Sequence, residues 1–182
     1  YYYKHAEGTS FETIVASGEN SSKPHAVPTD RKIQRQDIIT IDMGCKINGY
    51  CSDMTRTIFV GEVPQNMKEV YDLVLKNQEQ ALEDIHDGAN TKQISKMVDN
   101  DFRLHNYDLI HALGHGVGLD IHESPVLGIN SETILKENMV VTDEPGIYIP
   151  GQFGVRIEDT VLVNKATCEP LTKSPKKYVI IK

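Results

Sequence analysis

Asp42-Met43-Gly44-Cys45-Lys46-Ile47-Asn48-Gly49-Tyr50-Cys51-Ser52-Asp53 reverses the chain between two carboxylates. Ahead of it, Ile38-Ile39-Thr40-Ile41 is a β-branched run that predicts a strand ending in Asp42. Gly44 and Asn48-Gly49 permit the tight return, and Thr55 to Val60 predicts the paired strand. Such a hairpin brings Asp42 and Asp53 side by side. Two like charges at contact distance repel by about 4 kcal/mol at an effective dielectric near 20, so they need a proton, a cation or separation. For one isolated pair, two solvated loop acids would be the ordinary reading.

A second stretch with the same layout changes that reading. Ile134 to Gly146 echoes Ile33 to Gly44: a lead-in, a polar break, an apolar strand, then acid and glycine. Gly154-Val155-Arg156-Ile157-Glu158-Asp159-Thr160 likewise answers Gly49-Tyr50-Cys51-Ser52-Asp53-Met54-Thr55. The chain therefore reads as a diverged internal repeat whose halves contribute Asp42 and Asp53, then Glu144 and Glu158.

Composition narrows the function. The 182 residues, 39% hydrophobic and 25% charged, fit one domain with a real core. No stretch approaches transmembrane length. A net charge of −7 without a dense basic run argues against nucleic acid and membrane partners and leaves carboxylates for cations. Cys45, Cys51 and Cys168 are odd in number and lack C-x-x-C spacing, which argues against a disulfide framework or a zinc–thiolate site and fits a reducing cytoplasm. Cys51 reads as a packed or half-exposed thiol before it reads as a nucleophile. The opening Tyr1-Tyr2-Tyr3-Lys4, with neither initiator Met nor signal pattern, suggests a fragment or processed chain.

Ser10 to Ser17 alternates as a strand, Gly18 to Ser22 reads as a loop, and prolines on either side fix His25 in a short rigid turn. Met67, Val70, Tyr71, Val74, Leu75, Gln78, Ala81, Leu82 and Ile85 predict an amphipathic helix of about five turns that stops near Asp87-Gly88. Asn90-Thr91 caps a second helix carrying Ile94, Met97, Val98 and Phe102. These helices are expected to cover the sheet and carry no chemistry. Equivalence of the halves would put a matching helix pair ahead of Tyr1.

The densest stretch runs from Leu109 to Pro125, with His111, His115 and His122 set among Gly114, Gly116 and Gly118. Three imidazoles within twelve residues, among glycines that favour neither helix nor strand, are hard to explain as packing. Imidazole with carboxylates is a donor set for first-row divalent ions, Mn, Co, Fe or Zn.

The combination IDMG-x7-SD, GHGVGLDIHESP, TDEPGIY and GVRIEDT resembles the M24 metallopeptidases, and within them the branch of aminopeptidase P and Xaa-Pro dipeptidase (prolidase), from about Ser10 to Lys182. The resemblance implies an α+β pita-bread fold, a pseudo-twofold repeat of curved antiparallel sheet covered by helices. It implies two divalent ions per chain, with manganese foremost, on Asp42, Asp53, His115, Glu144 and Glu158. Asp53 and Glu158 would bridge the ions, Asp42 would chelate one, and His115 and Glu144 would complete the other. A hydroxide between the ions would attack the carbonyl before proline, with Glu144 shuttling the proton. His25 and His122 match outer histidines that steady the intermediate or hold substrate, His111 and Arg156 match the proline side, and Tyr148 matches a hydroxyl near Glu144.

Within the family, Glu144 and Glu158 are 14 apart and joined through Pro-Gly-x-Tyr and Gly-Val-Arg, unlike the wider spacing of methionine aminopeptidases. Creatinase-like members have lost ligands that this chain keeps. The implied activity is hydrolysis of the Xaa-Pro bond in dipeptides or at peptide N-termini, in the cytoplasm, by a protein that is a homodimer at full length. Residues 1–182 would form the catalytic domain without its N-terminal helices and an upstream domain. The alternatives are a non-catalytic peptide-binding module of the same fold and a catalytic fragment inactive through truncation.

Overall fold

The computed structural model describes residues 5–182, so the Tyr1-Tyr2-Tyr3-Lys4 opening lies outside it. The first half contains Gly8–Thr9 (β1), Ile14–Ser17 (β2), Ile38–Met43 (β3), Cys45–Ile47 (β4), Tyr50–Cys51 (β5) and Met54–Val60 (β6). Two helices follow, Gln65–Asp84 (α1) and Thr91–Leu104 (α2). Then come Gly114–Gly116 (β7), Glu123–Leu127 (β8), Val140–Asp143 (β9), Gly146–Ile149 (β10), Phe153–Arg156 (β11) and Asp159–Val163 (β12). Cys168–Pro170 (β13) and Ile180–Ile181 (β14) end the chain.

The β-branched run at 38–41 forms the strand its composition calls for, and β3 pairs antiparallel with β6, Asp42 standing opposite Thr55. The return between them adopts the left-handed backbone at Asn48 (φ 52°) and Gly49 (φ 79°), which closes the small β4–β5 hairpin. The second half repeats this plan: β9 pairs with β12, and the β10–β11 hairpin fills the return. Here Thr142 stands opposite Thr160, a two-residue displacement from the first half if Asp42 is matched with Glu144 and Thr55 with Thr160. An even displacement leaves every side chain on its original face, so the carboxylates of both halves still point one way.

Beside the small β1-β4-β5 and β10-β11 sheets, two larger sheets form, in the orders β14-β6-β3-β2 and β13-β12-β9-β7-β8. They are stitched where Glu158 N–H donates to the Thr55 carbonyl (3.1 Å) and Thr57 Oγ1 donates to the Arg156 carbonyl (2.8 Å). The apolar stripes of α1 and α2, including Val74, Ala81, Val98 and Phe102, close over the second sheet at Val141 and Val161 and over the β10–β11 hairpin at Val155. Full burial of each of the valines and of Phe102 contributes about 1.5–3 kcal/mol.

Three expectations need correction. The strand expected over 10–17 is confined to Ile14–Ser17, because Glu7 and Ser10 donate their N–H groups to Lys46 and Gly44 instead of to β3. The loop expected over 18–22 is a 3-10 turn, closed by Ser21 and Ser22 hydroxyls on the carbonyls of Gly18 and Glu19. Helix α1 ends at Asp84 rather than near Asp87-Gly88, since buried Ile85 turns extended and the N–H groups of Asp87 and Gly88 go to Asn164 and Leu135. Asn90 caps α2 as expected, accepting from the N–H groups of Lys92 and Gln93. All three cysteines are free and half-buried. Among the described residues no helix is long and apolar enough to cross a membrane.

Candidate metal centre

Asp42 sits near the end of β3, Asp53 just ahead of β6, His115 at the middle of β7, Glu144 just after β9 and Glu158 just ahead of β12. All five line one cavity of about 650 Å³, together with His25, His111, His122 and Arg156. Donor atoms of Asp53, His115 and Glu158 lie within 4.8 Å of one another. His115 reaches this point because β7 is squeezed between β8 and β9. A Cβ at Gly114 would lie 2.0 Å from the Thr142 carbonyl oxygen and one at Gly116 would lie 2.4 Å from that of Ser124, so only glycines fit on either side.

The electrostatics of the cluster call for protons or a cation among its acids. Asp42 Oδ1, Asp53 Oδ1 and Glu158 Oε1 are buried without a hydrogen-bond partner. Burial, then Asp42 and Glu144, push the Asp53 carboxyl up to about 7. Burial followed by the charges of Glu144, Asp53 and Asp42 drives Glu158 well above the usual carboxylate range. Asp42 is raised by burial in spite of Arg156. Burial opposes the charged forms of Glu144 and His115, yet their hydrogen bond lowers Glu144 and raises His115. His115 Nδ1 faces the Gly116 carbonyl at 3.0 Å, which makes Nδ1 the donor. Nε2 then points at Glu144 Oε1 (3.3 Å) and Asp53 Oδ2 (3.6 Å). A neutral imidazole would set its lone pair against two carboxylates; a proton, or a divalent ion in its place, resolves the conflict. Four carboxylates, one imidazole and three unpartnered oxygens fit a pair of divalent ions in charge and in donor chemistry.

The cavity wall is organised by Arg156, which donates to Asp42 Oδ2 (2.6 Å), the Tyr148 hydroxyl (2.8 Å), Thr55 Oγ1 (3.1 Å) and the Pro24 carbonyl (3.1 Å). His111 Nδ1 donates to the Ala112 carbonyl (2.7 Å), so Nε2 accepts from the Tyr148 hydroxyl (3.0 Å). Burial holds His111 below its usual range and lifts Tyr148 to about 12, so both are neutral near pH 7. His122 packs its ring against His115 at 67° with centroids 4.4 Å apart, and burial, then the His115 charge, lower it. His25 is exposed at the cavity mouth. Every residue singled out from the sequence therefore lines the cavity or, for Tyr148, hydrogen-bonds to a residue that does.

Sequence reasoning missed the threonines that orient the acids. Thr55 Oγ1 donates to Glu158 Oε2 (2.7 Å), while Thr142 Oγ1 donates to Glu144 Oε1 (3.2 Å) and accepts from the His115 N–H (3.0 Å). The signal was present, since Thr40 recurs as Thr142 and Thr55 as Thr160 in the quoted repeat.

The chain is similar to known proteins over nearly its whole length. Residues 1–165 match the model of metallopeptidase family M24. The chain is 45% identical over 176 residues to the Xaa-Pro dipeptidase of Pyrococcus furiosus, covering 96% of this chain and 51% of that protein. Among solved structures it superimposes on an X-Pro aminopeptidase from Thermotoga maritima with a TM-score of 0.95 at 40% identity, over 98% of this chain and 51% of that one. A prolidase from Pyrococcus furiosus gives a TM-score of 0.91 at 46% identity, over 94% and 51%. The chain thus spans about half the length of the relatives it matches. With the α+β pita-bread architecture shared at this identity, the chain belongs to metallopeptidase family M24.

Proposed function

We propose that residues 1–182 act as the catalytic domain of a metal-dependent peptidase that hydrolyses the Xaa-Pro bond, at the N-terminus of short peptides or in dipeptides. The observation that carries this reading is the convergence of Asp42, Asp53, His115, Glu144 and Glu158 on one cavity, with three buried carboxylate oxygens unpartnered. The names of the relatives, an Xaa-Pro dipeptidase and an X-Pro aminopeptidase, support the choice of bond.

Two divalent ions held by these five side chains would polarise the scissile carbonyl and lower the pKa of the attacking water. The protein residues do the rest. Glu144, which burial would raise but the hydrogen bond to His115 lowers, is the group placed to take up a proton and return it to the proline nitrogen. His122, neutral beside His115, and His25 at the mouth offer N–H donors to the developing oxyanion. Arg156, Tyr148 and His111 form a hydrogen-bonded wall whose positions are fixed by Asp42 and Thr55, suited to holding the proline side of the substrate.

The test is hydrolysis of Ala-Pro beside an Xaa-Pro-Xaa tripeptide by metal-stripped chain reloaded with Mn²⁺, with EDTA as control. Cleavage that requires metal is expected, and the preferred substrate assigns dipeptidase or aminopeptidase action. Absence of cleavage with two ions bound would overturn the catalytic reading for this chain and favour a binding module or an incomplete enzyme.

A further inference from the structure

Behind the carboxylates that line the cavity lies a charged cluster that the chemistry above does not use. Asp159 follows Glu158, so strand alternation turns it to the opposite face, where it meets Arg56. The Arg56 guanidinium is buried, and all five of its N–H donors are engaged. Nη1 donates to the Thr55 carbonyl (2.9 Å) and, in a shorter bond, to the Glu158 carbonyl. Nη2 donates to Asp159 Oδ1 (2.7 Å) and the Ser174 carbonyl (2.8 Å), and Nε donates to the Pro175 carbonyl (3.2 Å).

The acceptors belong to three separate parts of the chain: β6, the Glu158-Asp159 step into β12, and the segment ahead of β14. Thr55 comes from the first of these, with Asp53 just ahead of it, and Glu158 from the second. Resting on the metal-centre reading above, we propose that Arg56 is a positioning residue for that centre, acting through Glu158. Its planar fork fixes the spacing between the strand that presents Asp53 and the step that presents Glu158, and it recruits the C-terminal segment as a brace. A lysine at this position would keep the charge and lose the fork, because one ammonium cannot serve five acceptors spread around a plane. The repeat supports an assigned task rather than a shared structural one: the position matching Arg56 in the second half is Val161, so the fork exists in one half alone. Asp159 is further met by Lys176 Nζ (3.1 Å) and Gln78 Nε2 (3.2 Å), which hold the carboxylate that Arg56 grips.

The experiment titrates metal-stripped chain with Mn²⁺ by calorimetry and counts bound ions after desalting, for the parent, Arg56→Lys, Glu158→Gln and the double variant. Arg56→Lys is expected to raise the apparent dissociation constant about tenfold or more, as partners of metal ligands do, with the far-ultraviolet circular dichroism of the parent retained. Because the effect passes through Glu158, the double variant is expected to bind no more weakly than Glu158→Gln alone. Parent-like binding by Arg56→Lys, or penalties that multiply in the double variant, would overturn the inference. If Arg56→Lys does not fold, Asp159→Asn, which keeps the side-chain shape and removes one charged acceptor, carries the same cycle with the same two outcomes. A parent chain that takes up no ion overturns the metal-centre reading itself and this inference with it, whereas parent-like metal on Arg56→Lys with weakened uptake by Glu158→Gln overturns this inference alone.

Discussion

Asp53 shows what burial among like charges does to an acid. Its carboxyl is raised from 3.8 to about 7, with burial as the first cause and Asp42 and Glu144 behind it. A group whose folded pKa lies above its unfolded value stabilises the fold below the unfolded pKa, and that stabilisation is lost as pH rises through the folded one. Glu158, Asp42 and His115 are raised as well and act in the same direction, while Glu144 alone is lowered. Through Asp53 the metal-stripped chain is therefore expected to lose stability as pH rises from about 4 to about 7, by a few kcal/mol, and His115, raised from 6.5, carries the loss to higher pH. Bound metal should abolish the trend, because it substitutes for the protons. Thermal melts of stripped and loaded protein at pH 5 and pH 8 measure both slopes. Asp53→Asn removes one charge without changing shape, so it should raise the melting temperature of the stripped chain at pH 8 and weaken Mn²⁺ uptake. A stripped chain equally stable at the two pH values would refute this account of the cluster.

At the scale of elements, the strand that carries His115 owes its place to what its neighbours lack. Gly114 and Gly116 let β7 approach β9 and β8 within the thickness of a backbone, and no rotamer change relieves a Cβ set 2.0 Å from a carbonyl oxygen. Gly114→Ala is expected to cost about 3 kcal/mol or more, seen as a lowered urea midpoint, and to reduce metal uptake by displacing His115. Gly88→Ala, where nothing lies within 4 Å of the added carbon but φ is +88°, serves as a control for backbone strain alone. An unchanged midpoint in Gly114→Ala would show that β7 has room to move. The histidine cluster was legible as a candidate site because glycines alternating with histidines fit no packing pattern, but the strand that carries His115 was not, since glycines favour neither helix nor strand by propensity. The β3–β6 hairpin was legible from β-branched residues and from Asn48-Gly49, whose left-handed backbone is seen. Elements decided by pairing were not. The segment over 10–13 has strand-like alternation, yet the Glu7 and Ser10 N–H groups go to the β4 side of the return, and no local propensity specifies that choice. The end of α1 was misjudged for the same reason, since the carbonyls of Asn164 and Leu135 that capture Asp87 and Gly88 are far away in sequence.

For the whole molecule, the internal repeat made the site readable: four carboxylates at matched positions implied a shared centre before any contact was known. Less readable was the attachment of one half to the other. It rests on Thr55, Thr57, Arg56 and Arg156, whose partners lie about a hundred residues away, as in the Thr55–Glu158 and Arg156–Asp42 contacts. Polar side chains of this kind carry no periodic signal. The same arrangement dictates how metal should act on stability. Asp42 and Asp53 come from the first sheet and its return, His115, Glu144 and Glu158 from the second, so metal held on these donors would tie the two sheets together. Ligand that binds only the folded state adds stability by mass action, about 2.7 kcal/mol at a hundredfold excess over the dissociation constant. Because the donors are shared, the added protection should not stay local. Amide hydrogen exchange on stripped and Mn²⁺-loaded chain is expected to slow in β3 and β6 as well as in β9 and β12, by similar factors. Protection gained only around β7, β9 and β12 would mean that the ions sit on His115, Glu144 and Glu158 without engaging Asp42 and Asp53. In that case the first half would be a scaffold beside the centre rather than a part of it.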